Sequence, residues 1–377
     1  MSKWWQRFPA RLAIVLCYLL VFATCLYAPY VFNAFAQQKE LNVCAFTNIF
    51  SPEAIALFEE RTGVKVNMTY AEMDEEIGAK FGINEGRGYD VINVSDFMVH
   101  YLSSQGYLRK LDHDKIRNLR GLNKQLLERT FDPHNSYSVP HKWFMYGIVY
   151  NKNFFNLTPD QMSLDYIFTD PAELYRAGRV QAPYRVCMID SPMDAYFLSM
   201  LSTFNRCDKF TDLQYQQIAS VLSNQKSWVE CYTLYTVEYF LLSGVVPIAL
   251  TSSDFVRRLR AVSDDYVFAI PREGGILVIE NLVIPRVSSN SDLAHQFIDF
   301  MLSDEIALLN STRYGWTSAN SYASQQLDAQ YRQQCGDLDF QAHLFPDAAL
   351  FARLHIPLFA PYARRQADDA WLRVGFA

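Results

Sequence analysis

From residue 41 onward, short apolar runs alternate with longer stretches in which apolar positions recur every three or four residues. Leu41-Asn42-Val43-Cys44-Ala45-Phe46 predicts a strand. Ser51-Pro52-Glu53 supplies an N-cap, a first-turn proline and an acidic first turn to a helix carrying Ile55, Leu57 and Phe58, and Gly63 stops it. Residues 64–68 predict the next strand, residues 72–84 a helix and residues 89–94 a third strand, with Ser95 and Asp96 placed to cap a further helix. Strand and helix repeated at this spacing predict an α/β fold with a mostly parallel sheet covered on both faces. A second unit follows: a crossing strand over 146–151, a strand over 185–189, a helix from Pro192 and a strand over 245–250. Gly274-Gly275 then precede an apolar run, 276–285, interrupted only by Glu280 and Asn281. There is no internal repeat and no Gly/Ser linker. Two units joined by short crossings predict a hinge.

The first residues follow a different pattern. Lys3, Arg7 and Arg11 precede the apolar run 12–27, and Ala34-Phe35-Ala36 stands directly before Gln37-Gln38-Lys39-Glu40. Basic start, apolar middle and small-x-small exit are the parts of a secretory signal, with cleavage expected after Ala36. An uncleaved anchor is the alternative, because residues 12–35 exceed the ~20 apolar residues that span a bilayer. A third is lipidation at Cys25, against which Thr24 is a bulky predecessor. Each version places the body outside the cytoplasm, in the periplasm or on its membrane face.

Length and charge narrow the classes further. The chain has 377 residues and a formal charge of −6, and losing the three basic residues of the signal makes the remainder more acidic. That size exceeds one core and predicts two domains. An acidic export product is a poor partner for nucleic acid and a reasonable host for a cation. Cys17 and Cys25 lie in the signal, leaving Cys44, Cys187, Cys207, Cys231 and Cys335, an odd number. Cys207 and Cys231 are a candidate pair; without a CxxC, neither zinc nor a redox site is indicated, and no metal or cofactor is expected. The chain lacks G-x-S-x-G, H-E-x-x-H, the P-loop and G-x-G-x-x-G, and its seven histidines are scattered, so nothing points to an enzyme.

Two acidic residues stand out. Glu280 interrupts what should be buried strand, where an ionised carboxylate costs several kcal/mol unless paired or hydrogen-bonded. Either a protein Arg or Lys satisfies it, or it faces a wet cleft and meets a cationic ligand. Asp194 occupies the third helical position after Ser191 and Pro192, the place of a capping carboxylate, and a strand-to-helix turn of this kind also borders ligand clefts. Aromatic side chains beside turns (Phe46 before Thr47-Asn48, Phe97 after Ser95-Asp96, Trp316 in Tyr314-Gly315-Trp316-Thr317) suit an ammonium or ordinary core packing equally.

These residues resemble the periplasmic spermidine/putrescine-binding family. Leu41–Thr47 and the segment from Phe58-Glu59-Glu60-Arg61-Thr62-Gly63 to Val66 are similar to that family's opening. Gly88-Tyr89-Asp90-Val91-Ile92, Phe131-Asp132-Pro133-His134-Asn135 with Tyr137-Ser138-Val139-Pro140, and Pro271-Arg272-Glu273-Gly274-Gly275-Ile276 continue the likeness in order, over about residues 40 to 320. The resemblance implies a two-lobed, type II periplasmic-binding fold, with residues 40–145 plus 279–318 in one lobe and 146–278 plus 319–377 in the other. It implies a monomeric binder of a polyamine or similar organic cation, delivering to the permease of an ABC importer. Residue by residue, it assigns the amine-binding carboxylates to Glu280 and Asp194. It also assigns pocket positions to Phe46, Thr47, Ser95, Phe97 and Trp316. The chain departs from the family where two boxing tryptophans fall on Leu250 and Val278 and a tyrosine on Ile49. A receptor for a different solute, metal ion or anion, and an extracytoplasmic enzyme on the same scaffold, are the alternatives.

Overall fold

A computed structural model describes residues 16–27, 39–206, 210–335, 343–358 and 361–376. The basic start, the expected cleavage after Ala36 and Cys207 lie outside these described residues. Residues 16–27 are helical, and among the described residues no helix is long and apolar enough to cross a membrane. The strands, in chain order, are β1 (Glu40–Phe46), β2 (Lys65–Ala71), β3 (Val91–Ser95), β4 (Ser138–Asn151), β5 (Val186–Met188), β6 (Val229–Tyr232), β7 (Ile248–Ser252), β8 (Tyr266–Ala269), β9 (Gly275–Val283), β10 (Thr317–Ser318) and β11 (Leu354–His355).

They form one sheet ordered β2-β1-β3-β9-β4-β7-β5-β6, with β8 and β10 on β4 and β11 on β9. Both ends are parallel, as the strand–helix alternation predicts: β1 lies between β2 and β3, and β5 between β6 and β7. The middle is antiparallel, because β4 and β9 run against each other and against β3, β7 and β8. The expected crossing strand at 146–151 is the second half of a longer one. β4 has 14 residues; Lys142 and Trp143 pair with β10, whereas Tyr146 to Asn151 pair with β7 and β8.

Local chemistry explains these bounds. Ser51 Oγ accepts the Ala54 N–H at 3.1 Å, and Gly63 closes the helix Pro52–Thr62 in the left-handed region, φ 69°. The Asp132 carboxylate accepts the backbone N–H groups of Ser136, Tyr137 and Ser138, each at 2.9 Å, and so aims the chain into β4. At the centre a Cβ on Gly147 would lie 2.5 Å from the Ala269 carbonyl oxygen, so glycine alone lets β8 close on β4 there. β9 and β7 are buried nearly throughout, each such large apolar side chain contributing about 1.5–3 kcal/mol. The helix Ser321–Cys335 packs on the helix Asp304–Tyr314 and on β10. Cys231 on β6 stands opposite Cys187 on β5 with sulfurs 3.1 Å apart. The described sulfur beside Cys231 is therefore that of Cys187.

Candidate functional site

Antiparallel register lines up four residues across the middle of the sheet. Ser95 on β3 is opposite Glu280 on β9, Glu280 is opposite Lys142 on β4, and Lys142 is opposite Ser318 on β10. Period-two geometry puts Phe144 and Tyr146 on the same face as Lys142. Those three residues are only partly buried, while Trp143, Met145 and Gly147 between them are fully so. This face of β4 and β9 is the wall of the site.

Lys142 fills its centre. Its Nζ lies 3.1 Å from Glu280 Oε1, 3.3 Å from Asp254 Oδ2 and 4.8 Å from the centre of the Phe144 ring. Asp254 sits in the first turn of the helix Ser253–Arg260, where the helix dipole favours a carboxylate. The side chains of Lys142 and Glu280 are 13% and 8% exposed. Burial opposes the charge on Lys142, but the Glu280 and Asp254 carboxylates outweigh it and hold the ammonium charged. Burial pushes the Glu280 carboxyl up, with Lys142 pulling the other way. The other oxygens, Glu280 Oε2 and Asp254 Oδ1, are buried and meet no hydrogen-bond donor among the described residues. Two carboxylates sharing one ammonium leave one negative charge uncompensated.

More acid surrounds this triad. Asp96 is buried; its oxygens accept the N–H groups of Phe97 at 2.7 Å and Ile279 at 2.8 Å. Burial nevertheless pushes its carboxyl up to about 8, with Asp74 and Asp194 adding to the rise. The Tyr146 phenol is held neutral by burial first, then by Asp194, Glu280 and Asp254. Asp194 thus acts on both Asp96 and Tyr146, and the acidic residues of the two sheet halves share one field.

The residues singled out from sequence fall into two groups. Ser95 lies beside Glu280, but its Oγ caps the helix Asp96–Ser104 by accepting the Met98 N–H at 3.3 Å. Phe97 is half-buried in that helix's first turn. Asp194 lies in the first turn after the N-cap Ser191, whose Oγ donates to its carboxylate at 2.6 Å. Phe46, Thr47 and Trp316 gather at the turn after β1 instead. Phe46 is half-buried and Thr47 exposed; buried Trp316 donates its Nε1–H to the Asn48 carbonyl at 2.9 Å and lies edge-on to His141. Of the two readings of Glu280, the structure supplies the protein cation. Sequence reasoning missed Lys142, Asp254, Asp96 and Tyr146. The sign was present: Lys142 is a lone cation in the run 137–151, as Glu280 is a lone anion in 276–285. At Val278, where the resemblance implies a ring, the residue opposite is Phe144. Among the described residues no cluster of three His, Cys, Asp or Glu is disposed to hold a metal ion.

Comparison with known proteins places this arrangement. Residues 53–333 match the family described as bacterial extracellular solute-binding protein. The chain belongs to that family. Its relatives include the putrescine/cadaverine-binding protein of Pseudomonas aeruginosa, 28% identical over 354 residues, 91% of this chain and 95% of the relative. The spermidine/putrescine-binding periplasmic protein of Escherichia coli is 24% identical, covering 80% of this chain and 82% of its own. In structure, the spermidine/putrescine transporter substrate-binding protein of Streptococcus pneumoniae superposes with a TM-score of 0.72 at 22% identity. That match covers 90% of this chain and 99% of the other, so this solute-binding protein has the two-lobed α/β fold that the resemblance implied. The family is one of solute receptors rather than enzymes.

Proposed function

We propose that this solute-binding protein captures a linear polyamine or a related organic cation outside the cytoplasm and hands it to the permease of an ABC importer. One observation carries the reading. Glu280 on β9 and Asp254 in the first turn of the helix Ser253–Arg260 stand with Phe144 and Tyr146 of β4, and the charge of Asp194 falls on both Tyr146 and Asp96, which is carboxylate and ring chemistry suited to ammonium groups. The names of the relatives point to the same ligand class. In this reading residues 1–36 direct export and are removed. The chain acts as a monomer whose two lobes close about the crossing strands. Calorimetry with putrescine, cadaverine and spermidine, and with amino acids and divalent metals as controls, tests it. One-to-one binding of an amine, with compaction in small-angle scattering and no turnover, is expected. Binding confined to the amino acids or metals would refute the reading.

A further inference from the structure

The surroundings of Lys142 Nζ are those an ammonium ligand would seek: two carboxylate oxygens at 3.1 and 3.3 Å and an aromatic face at 4.8 Å. The chain supplies that ammonium itself. Register makes the placement firm, because Lys142 is the direct cross-strand partner of Glu280 on a face where side chains stand together. What remains unused is a pair of buried acceptors, Glu280 Oε2 and Asp254 Oδ1. A second ammonium brought to these oxygens would face Lys142 at close range, with only one uncompensated negative charge to attract it. A neutral N–H or O–H donor satisfies the same acceptors with no like charge opposing it.

We propose that Lys142 is a built-in ammonium occupying the cation position at the Glu280 end of the site. The ligand then presents a neutral hydrogen-bond donor, not an ammonium, to Glu280 and Asp254. Within the polyamine class proposed above, on which this inference rests, that describes a linear amine capped at one end, such as an N-acylated diamine. Lys142 is in this account the residue that sets the number of charges the ligand bears.

The test compares cadaverine, N-acetylcadaverine and spermidine by calorimetry on the wild-type protein and on the double variant K142M/D254N. The double variant removes the tethered cation together with one carboxylate, so the triad keeps its net charge and the fold is not left with two unpaired acids. Wild-type protein should bind N-acetylcadaverine at least as tightly as cadaverine. The double variant should invert the order, gaining about 30-fold or more for the free diamine, the usual scale of a desolvated charge pair. The wild-type comparison needs no variant, so it stands even if the double variant folds poorly. Wild-type preference for cadaverine or spermidine by more than about threefold, or an unchanged order in the variant, overturns the assignment while leaving the polyamine reading intact. Failure of both proteins to bind any of the three amines removes that reading itself, and this inference with it.

Discussion

Replacing Lys142 by Met keeps a long, unbranched side chain and removes its charge, leaving Glu280 and Asp254 without Lys142 as counter-ion. At an effective dielectric of about 20, charges 3.1 and 3.3 Å apart attract by about 5 kcal/mol each before desolvation. Desolvation offsets much of this, and removing one partner of a buried pair has a net cost of about 3–5 kcal/mol. The loss should depend on pH, with a defined sign. Burial already raises the Glu280 carboxyl in the presence of Lys142, so without the ammonium it rises further. Between the ordinary glutamate value and the raised one, the folded variant binds a proton that the unfolded chain does not. Its stability therefore falls as pH rises through that window, and the penalty is larger at pH 8 than at about pH 5. Urea titrations followed by circular dichroism at both pH values measure it. Asp254→Asn is the control: it leaves Lys142 paired with Glu280 and should cost about 1 kcal/mol. A loss below about 1 kcal/mol for Lys142→Met, or the same loss at both pH values, would show that Lys142 is not the counter-ion of this site.

Two further outcomes follow from the same geometry. A cation bound near Asp96, whose carboxyl stands at about 8 among Asp74, Asp194 and Arg129, should favour the ionised form and release a proton. Affinity should then rise with pH between about 5 and 8, and calorimetric heats should differ between buffers of unequal ionisation enthalpy; identical heats would exclude Asp96 from the ligand's field. Cys187 and Cys231, with sulfurs 3.1 Å apart, should exchange with oxidised glutathione. The two thiols each give up a hydrogen, one intramolecular disulfide forms and two reduced glutathiones leave. Peptide mapping should show the 187–231 cross-link, and a link from Cys231 to Cys207 would contradict the strand pairing.

The outer halves of the sheet were legible because their signals are local. Ser51, Pro52 and Gly63 punctuate a helix within a dozen residues, and the strand that follows begins at Lys65, beside the expected position. The middle of the sheet was not, because antiparallel pairing of β4 with β9 joins residues far apart in the chain. The segment 131–140 stood out only through its resemblance to the family; the structure shows Asp132 gathering three N–H groups to start β4 eight residues earlier than periodicity placed it. The contact of Asp194 with Ser191 was legible because the N-cap spacing is local. Trp316 was not: its ring was visible as an aromatic beside a turn, but its bond to Asn48 depends on where β10 meets β1's exit.

The charge pair at the centre shows what a sequence reading needs to go one step further. Two long apolar strands each carrying one charge of opposite sign invite the question whether the charges meet. A carboxylate and an ammonium buried separately would each cost several kcal/mol, whereas in one register they neutralise each other. Mutual neutralisation favours the pairing of β4 with β9 in which Lys142 faces Glu280 over either neighbouring register, since a one-residue slip would turn Lys142 to the opposite face. It also separates fold from ligand. The acidic residue that resemblance assigns to the amine is present at Glu280, but its partner is written into the same chain. The ligand's charge therefore has to be deduced from Lys142 and Asp254 together with Glu280, not from Glu280 alone.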